Sequence, residues 1–410
     1  MNNAIKKKHI LVVSQYFYPE QFRINDICIE WVKRGYKVTV LTGIPNYPQG
    51  KYYKGYGLFK KRSETYRGIN IIRIPICPRG NNLLILALNY LSFVISGFFW
   101  VLFSKLKSDY VFIYEVSPMS QALPGIWYAK KKHVSCYLYV TDLWPESVEI
   151  VGGIKNKYIL KLLNKMVDYI YRNCDRIFTS SKSFIKEISK RKVPLDKIEF
   201  WPQYAEDCYK PLSRDSVSVP EIPRDDFFNI IFAGNIGGAQ GLDILPKTAK
   251  ILMDKNIKVR FNIVGDGRYK ENLLEMVKKY KVQKIFNFIK KQPAKRIPEF
   301  MSANDASLIC LGKSKIFAKT IPAKTQSCLA CGIPVIVSAD GEIQDIINES
   351  EAGICSTAGN EKELAKNIEI IANTSKAELL KMSKNALKYY QKHFEKDAIL
   401  KTMDFWFNKQ

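Results

Sequence analysis

The chain has 410 residues, 47% of them hydrophobic, with 64 Lys and Arg against 39 Asp and Glu, a net charge of +25. This length calls for two or three domains rather than one, and the charge favours anionic partners such as phosphorylated ligands or acidic membrane. The lysines are scattered, with no arginine-rich tail or finger spacing, which argues against nucleic acid.

Nine cysteines, an odd number spread along the chain, make no disulfide framework and fit a reducing compartment. Cys328 and Cys331 have CxxC spacing but no second pair nearby, and read as small buried packing residues. His9, His133 and His393 stand in no metal-ligand spacing, so no metal is expected. Met1 to Lys8 is polar and basic and the apolar run after it is short, so no cleavable signal peptide is expected.

In chain order, Ile10–Val13 reads as a buried strand running into a polar, aromatic loop with Glu20, Gln21 and Arg23. Asn25–Arg34 is amphipathic and helical, Val38–Leu41 and Ile69–Ile76 are strands, and a Gly/Pro/Tyr-rich loop occupies Gly43–Gly57. Unalternated apolar strands separated by helices mark a parallel sheet covered on both faces. Such a sheet often holds a ligand in its first loop, so Glu20, Gln21 and Arg23 either contact a sugar or phosphate or are plain surface. No GxGxxG is present, so a dinucleotide fingerprint is absent.

Leu83–Phe103 is uncharged and long enough to cross a bilayer. Asn89, Ser92 and Ser96 interrupt it, Gly97 adds a weak point, and βα units lie on both sides. An interfacial helix, a buried core helix and a true span are the three readings. Lys105, Lys107 and Lys130 to Lys132 would add attraction to anionic lipid. Strands follow at Tyr110–Tyr114, Val134–Val140, Ile177–Ser180 and Ile198–Pro202. Asp142 and Glu146, after the second of these, are either a helix cap and first-turn acid or cleft carboxylates.

Ser213–Arg224 has no sustained apolar period and reads as a linker. A second βα series opens with the strand Asn229–Ala233, which enters the glycine-rich turn Gly234–Gly241. Glycine lets backbone N–H groups approach a phosphate at a helix start. Val259–Val264 closes with Gly265-Asp266-Gly267, and Ile285–Ile289 and Ala306–Leu311 follow. Thr320–Pro322 is extended, Ala323–Cys331 helical with Gly332 beyond its end, and Ile333–Val337 a strand leading to Gly341 and Glu342. Lys324 at that helix start opposes the helix dipole unless an anion binds there; otherwise it is a solvated lysine.

The stretches QYFYPEQFRIND, PNYPQG, DLWPES, WPQYAED, FAGNIGGAQGLD, VGDG and TIPAKTQSCLACGIPVIVSADGE occur in this order over nearly the whole chain. Together they resemble the retaining GT-B glycosyltransferases of family 4, and among these the WbuB-like bacterial enzymes that build O-antigen or capsule. The likeness implies an α/β fold of two Rossmann-like, doubly wound parallel-sheet domains facing a cleft. The domains expected are 1–212 for the acceptor, with 83–103 as a membrane-docking segment, a linker at 213–226, 227–390 for the donor nucleotide, and 391–410 as a helix returning to the first domain. It also implies retaining transfer from a nucleoside diphosphate sugar, UDP-linked, to a polyprenyl-diphosphate-linked saccharide. No metal or cofactor and no nucleic acid are implied. The location implied is cytoplasmic, peripheral on the inner face of the cell membrane against its anionic surface. A sugar-nucleotide epimerase of GT-B shape and a non-catalytic nucleotide- or nucleic-acid-binding protein are the alternatives.

By the same resemblance Asp142, Lys324 and Glu342 are the catalytic candidates. Gly234, Asn235, Gly237, Gln240, Gly265, Asp266, Gly267, Thr320, Gln326, Ser327 and Gly341 are donor-binding candidates, and Glu20, Gln21 and Arg23 lie on the acceptor side. The chain departs from the family where two glutamates are frequent: Lys319 and Ser327 stand there. Gln240 replaces a common lysine and Ala323 a common serine, so the ribose contact falls to Gln326 or Ser327.

Overall fold

The structure, a computed structural model, describes residues 8–80, 82–150 and 152–409. Its contacts divide the chain into two compact units, Met1–Trp201 and Pro202–Gln410.

The first unit contains β1 (His9–Val13), α1 (Arg23–Lys33), β2 (Lys37–Gly43), β3 (Ser63–Tyr66), β4 (Ile69–Ile74), α2 (Leu83–Phe103) and β5 (Tyr110–Glu115). It continues with α3 (Ala122–Lys132), β6 (Ser135–Val140), α4 (Glu146–Ile150), α5 (Lys157–Arg172), β7 (Arg176–Thr179), α6 (Lys182–Ser189) and β8 (Ile198–Phe200). The strands lie in the order β3-β4-β2-β1-β5-β6-β7-β8. All pairs are parallel except β3 with β4. Every residue of β1 and β5 is buried, as helices on both faces of a parallel sheet require.

The second unit contains β9 (Phe228–Asn235), α7 (Leu245–Asp254), β10 (Val259–Asp266), α8 (Lys270–Lys279), β11 (Phe286–Ile289), α9 (Ile297–Ser302) and β12 (Ala306–Cys310). It ends with α10 (Lys324–Cys331), β13 (Val335–Ser338), α11 (Glu342–Ser350), β14 (Gly353–Ser356), α12 (Glu361–Ala372), α13 (Lys376–His393) and α14 (Lys396–Asn408). Its all-parallel sheet runs β11-β10-β9-β12-β13-β14. This order reverses direction between β9 and β12, which makes the carboxyl ends of those strands the natural ligand crevice.

The division after Trp201 differs from the sequence expectation. Residues 202–212, expected with the first domain, group with the second unit, as does 391–410. Lys396 of α14 pairs with Asp207 at 2.9 Å and lies 5.5 Å over the Tyr204 ring, which ties the early segment to the last helix. The edge strands β3 and β14 were not foreseen; each has four residues, and SETY and GICS carry little apolar signal.

α2 runs Leu83–Phe103 as expected, but its polar residues point inward. Asn89 is fully buried; its Oδ1 accepts from Gln15 Nε2 at 2.8 Å and its Nδ2 donates to the Cys77 carbonyl at 2.5 Å. Ser92 Oγ accepts from the Cys77 N–H at 2.8 Å. Two of the residues foreseen as interruptions of an apolar span, Asn89 and Ser92, thus anchor it to the segments that follow β1 and β4. Gly97 is a close-packing point rather than a weak one, since a Cβ there would lie 2.3 Å from the Pro124 ring of α3. Asn89, Phe93, Gly97 and Val101 form the buried stripe, whereas Leu84 is 78% and Phe103 74% exposed. That exposure removes the buried-core reading.

Candidate functional site

In the second unit, β9 and β10 remain in register to their carboxyl ends, with Gly265 opposite Gly234 and Asp266 opposite Asn235. Gly265 is required there: a Cβ would fall 1.9 Å from the Gly234 carbonyl oxygen. From Asn235 the chain passes Gly237 and two 3-10 turns, Gly238–Gln240 and Leu242–Ile244, before α7. The Gly312 N–H donates to the Ala239 carbonyl at 2.9 Å, fixing this loop beside the end of β12.

Lys324 opens α10 directly against the loop. Its Nζ donates to Gln240 Oε1 at 2.5 Å and lies 4.1 Å from the centre of the Phe232 ring. A Cβ on Gly234 would stand 3.7 Å from that Nζ. Burial lowers the ammonium's pKa to about 8, with the neighbouring Cys310 and Cys328 acting against the shift. Half-buried, bonded to Gln240 and set over the Phe232 ring, Lys324 is not a freely solvated lysine. Gln240 thus has a place in the site, its amide oxygen accepting the Lys324 hydrogen bond.

Asn235 and Asp266 are exposed at the strand ends, and Asp266 Oδ1 accepts from the Gly267 N–H at 2.9 Å. Gly341 caps α11, placing Glu342 in its first turn with little exposure. Thr320 Oγ1 donates to the Ile316 carbonyl at 3.0 Å, so its hydroxyl is used locally. Gln326 and Ser327 are both buried, and Gln326 Oε1 has no hydrogen-bond partner among the described residues. The ribose contact expected of this pair therefore finds no open side chain; helix packing has turned both inward.

In the first unit the loops after β1, β2, β5 and β6 gather at one sheet edge. The half-buried Asp142 accepts a hydrogen bond from the Ser147 hydroxyl, and burial raises its pKa to about 6 against the pull of Ser147 and of the Leu143 N–H. Glu115, the last residue of β5, is fully buried; burial, and then the charge of Asp142, push its carboxyl well above the usual range. Sequence reading passed over Glu115, although an acid closing an otherwise apolar strand is a visible signal.

Glu20 corrects an expectation. It is 2% exposed, and its carboxylate accepts N–H bonds from Asn46 at 2.7 Å, Tyr47 at 2.6 Å and Phe17 at 3.3 Å. It clasps the β1 and β2 loops together and is not presented to an acceptor. Gln21 is exposed, and Arg23 is half-buried at the start of α1, its charge felt by the buried Tyr139.

Two further features were missed. Arg79 Nη1 donates to the Tyr16 hydroxyl at 3.1 Å, and its guanidinium lies 5.3 Å over the Tyr47 ring. Tyr16 in turn stacks on Phe22, with centroids 5.4 Å apart. On α5, Tyr158 is 85% and Leu162 69% exposed among Lys157, Lys161 and Lys165.

Residues 215–389 match the family described as Glycosyl transferases group 1. The chain is 24% identical over 349 residues to the putative colanic acid biosynthesis glycosyl transferase WcaI of Escherichia coli, covering 81% of this chain and 83% of that protein. Among solved structures it is similar to a sucrose-phosphate synthase of Thermosynechococcus elongatus, with TM-score 0.76, 15% identity, and 98% and 99% of the two chains covered. Anabaena HepE, solved with UDP and glucose, gives TM-score 0.71 at 14% identity, covering 98% of this chain and 100% of that one. The fold is thus the GT-B type, built from two Rossmann-like sheets, and the second half is similar to the glycosyl transferases group 1 family.

Proposed function

From that similarity and from Lys324 beneath the glycine loop, we propose that the chain is a retaining glycosyltransferase. It moves a sugar from a nucleoside diphosphate sugar, UDP-linked, to a saccharide carried on a polyprenyl diphosphate. The product serves surface-polysaccharide biosynthesis of the O-antigen or capsule kind. The observation that carries this reading is the Lys324 ammonium held at the β9/β12 switch point. Relatives named for polysaccharide synthesis and a structural neighbour holding UDP support it.

Departure of a diphosphate builds negative charge on its oxygens, and preorganised donors aimed at such charge lower the barrier. Lys324 and the backbone amides of Gly234–Gly241 are the donors assigned here, so no metal is invoked. Lys324 reaches the diphosphate by exchanging its bond to Gln240. No protein nucleophile is assigned: the leaving phosphate takes the acceptor's proton on the front face of the sugar, which retains the anomeric configuration. Asp142 orients the acceptor hydroxyl or the sugar. Glu342 and Gly341 approach the donor sugar.

The exposed side of α2 favours a membrane-borne acceptor over the soluble substrate of an epimerase. An interfacial helix buries its apolar face in the headgroup boundary, and the lysines of α3 and α5 would add attraction to anionic lipid. The site of action proposed is the inner face of the cell membrane, with the protein attached peripherally.

The test is a donor screen against a polyprenyl-diphosphate-linked saccharide, read by product mass. Transfer from a UDP-sugar, with the anomeric configuration kept, is the expected result. Release of free epimerised sugar nucleotide instead would refute the reading. Lys324→Ala should lower turnover at least tenfold, about 1.4 kcal/mol of barrier, in a protein that still unfolds cooperatively. Unchanged turnover removes Lys324 from the mechanism.

A further inference from the structure

The first unit contains an arginine whose charge nothing else there explains. Arg73, fully buried, is neutralised by Glu64 at 2.5 Å and also donates to the Tyr18 carbonyl. Arg191 is paired with Asp168 at 3.0 Å and Glu146 at 3.3 Å. Arg79 is half-buried, yet among the described residues no carboxylate meets it. Its neighbours are phenols: the Tyr16 hydroxyl, the Tyr47 ring and, within electrostatic range, Tyr90. Burial raises the Tyr16 and Tyr90 phenols above their ordinary value, so both are neutral at physiological pH. Aromatic faces stabilise a cation by only about 0.5–2 kcal/mol, and the positive charge remains available to an anion.

Its position limits what that anion is. Arg79 lies just before α2, and the Cys77 backbone between β4 and Arg79 is bonded to Asn89 and Ser92 of that helix. The outward side of α2 carries Leu84, Leu88, Leu91 and Ile95, each about half exposed or more. Tyr90, on the same helix, feels the charges of both Arg79 and Asp142. Arg79 thus precedes a helix whose outward side is apolar, and Tyr90 of that helix lies within electrostatic range of both the guanidinium and the Asp142 carboxylate. A ligand that matches these features has a hydrocarbon tail, an anionic head and a hydroxyl-bearing group.

We propose that Arg79 holds the phosphate of an amphiphilic acceptor, whose lipid tail lies along α2 and whose saccharide reaches toward Asp142. The inference rests on the glycosyltransferase reading for its acceptor, and it adds the residue that selects a phosphate-bearing lipid over a neutral one. A guanidinium suits this role because its planar fork can donate two N–H bonds to one phosphate.

The test uses the full chain in neutral detergent micelles with farnesyl diphosphate, farnesol and UDP as separate probes, binding being followed by intrinsic fluorescence. Arg79→Met should weaken farnesyl diphosphate at least tenfold and leave farnesol and UDP unchanged, with Arg79→Lys recovering part of the loss. Lys324→Ala should show the converse, losing UDP and keeping farnesyl diphosphate. If Arg79→Met does not fold, Arg79→Gln and Arg79→Lys carry the comparison. Equal loss of farnesol and farnesyl diphosphate would make Arg79 a packing residue and overturn the proposal. So would loss of UDP on Arg79→Met, which would assign the guanidinium to the donor, or no farnesyl diphosphate binding by the natural chain. Sugar transfer, read separately by UDP release, decides the parent reading independently of these outcomes.

Discussion

Asp142 and Lys324 carry opposite charges, and burial moves both toward neutrality, to about 6 and about 8. If transfer needs the carboxylate and the ammonium together, kcat/KM should peak between these values, which belong to the free enzyme. It should fall below about pH 6 as Asp142 takes a proton and above about pH 8 as Lys324 loses one. Asp142→Asn should remove the acid limb and leave the alkaline limb in place; an unchanged acid limb would assign it to another group. The stability sign for Lys324 is opposite to that of a paired lysine. Its folded pKa lies below the unfolded value, so between about pH 8 and 10.5 the unfolded chain binds more protons and stability rises with pH. Lys324 was legible because a lysine at a helix start is an electrostatic anomaly in sequence alone. The structural role of Glu20 was not: its partners Asn46 and Tyr47 belong to the next loop, and no local pattern connects an acid to amides that far along the chain.

Among the elements, α2 was read correctly in extent, because an uncharged run between turn residues marks its own ends. Which side it buries was hidden, since a helix apolar all round carries no amphipathic stripe to orient it. The structure inverts the usual rule, with Asn89 inside and leucines outside. Changing Leu84, Leu88, Leu91 and Ile95 to serine should release the protein from anionic vesicles with little change in Tm, because these side chains pack on little within the unit. Phe93→Ala, on the buried stripe, should instead cost about 3–5 kcal/mol of stability. Vesicle sedimentation and denaturant unfolding separate the two effects; retention of the serine variant by vesicles would transfer the docking role to α5, with its exposed Tyr158 and Leu162.

On the scale of the molecule, unalternated apolar strands separated by helices made both parallel sheets readable. The place of division was less so. Residues 202–212 have no secondary structure, and their allegiance is set by pairings such as Lys396 with Asp207 that span most of the second unit. With its own sheet and core, Pro202–Gln410 should fold when expressed alone, unfold cooperatively and bind UDP without transferring sugar. A fragment that shows no cooperative melt would mean that the second sheet depends on the first.

The Gln15–Asn89 hydrogen bond reaches beyond the anchoring of one helix. Gln15 is braced on its other sides, its N–H by Gln121 and its carbonyl by the Gly43 N–H. A load that a bilayer would place on α2, were the proposed docking to hold, would pass through this amide strut to the backbone that begins the first loop. If α2 seats on lipid as proposed, that seating and the posture of the loop would be one mechanical event, which hydrogen exchange of the Ser14–Phe22 amides with and without vesicles would register.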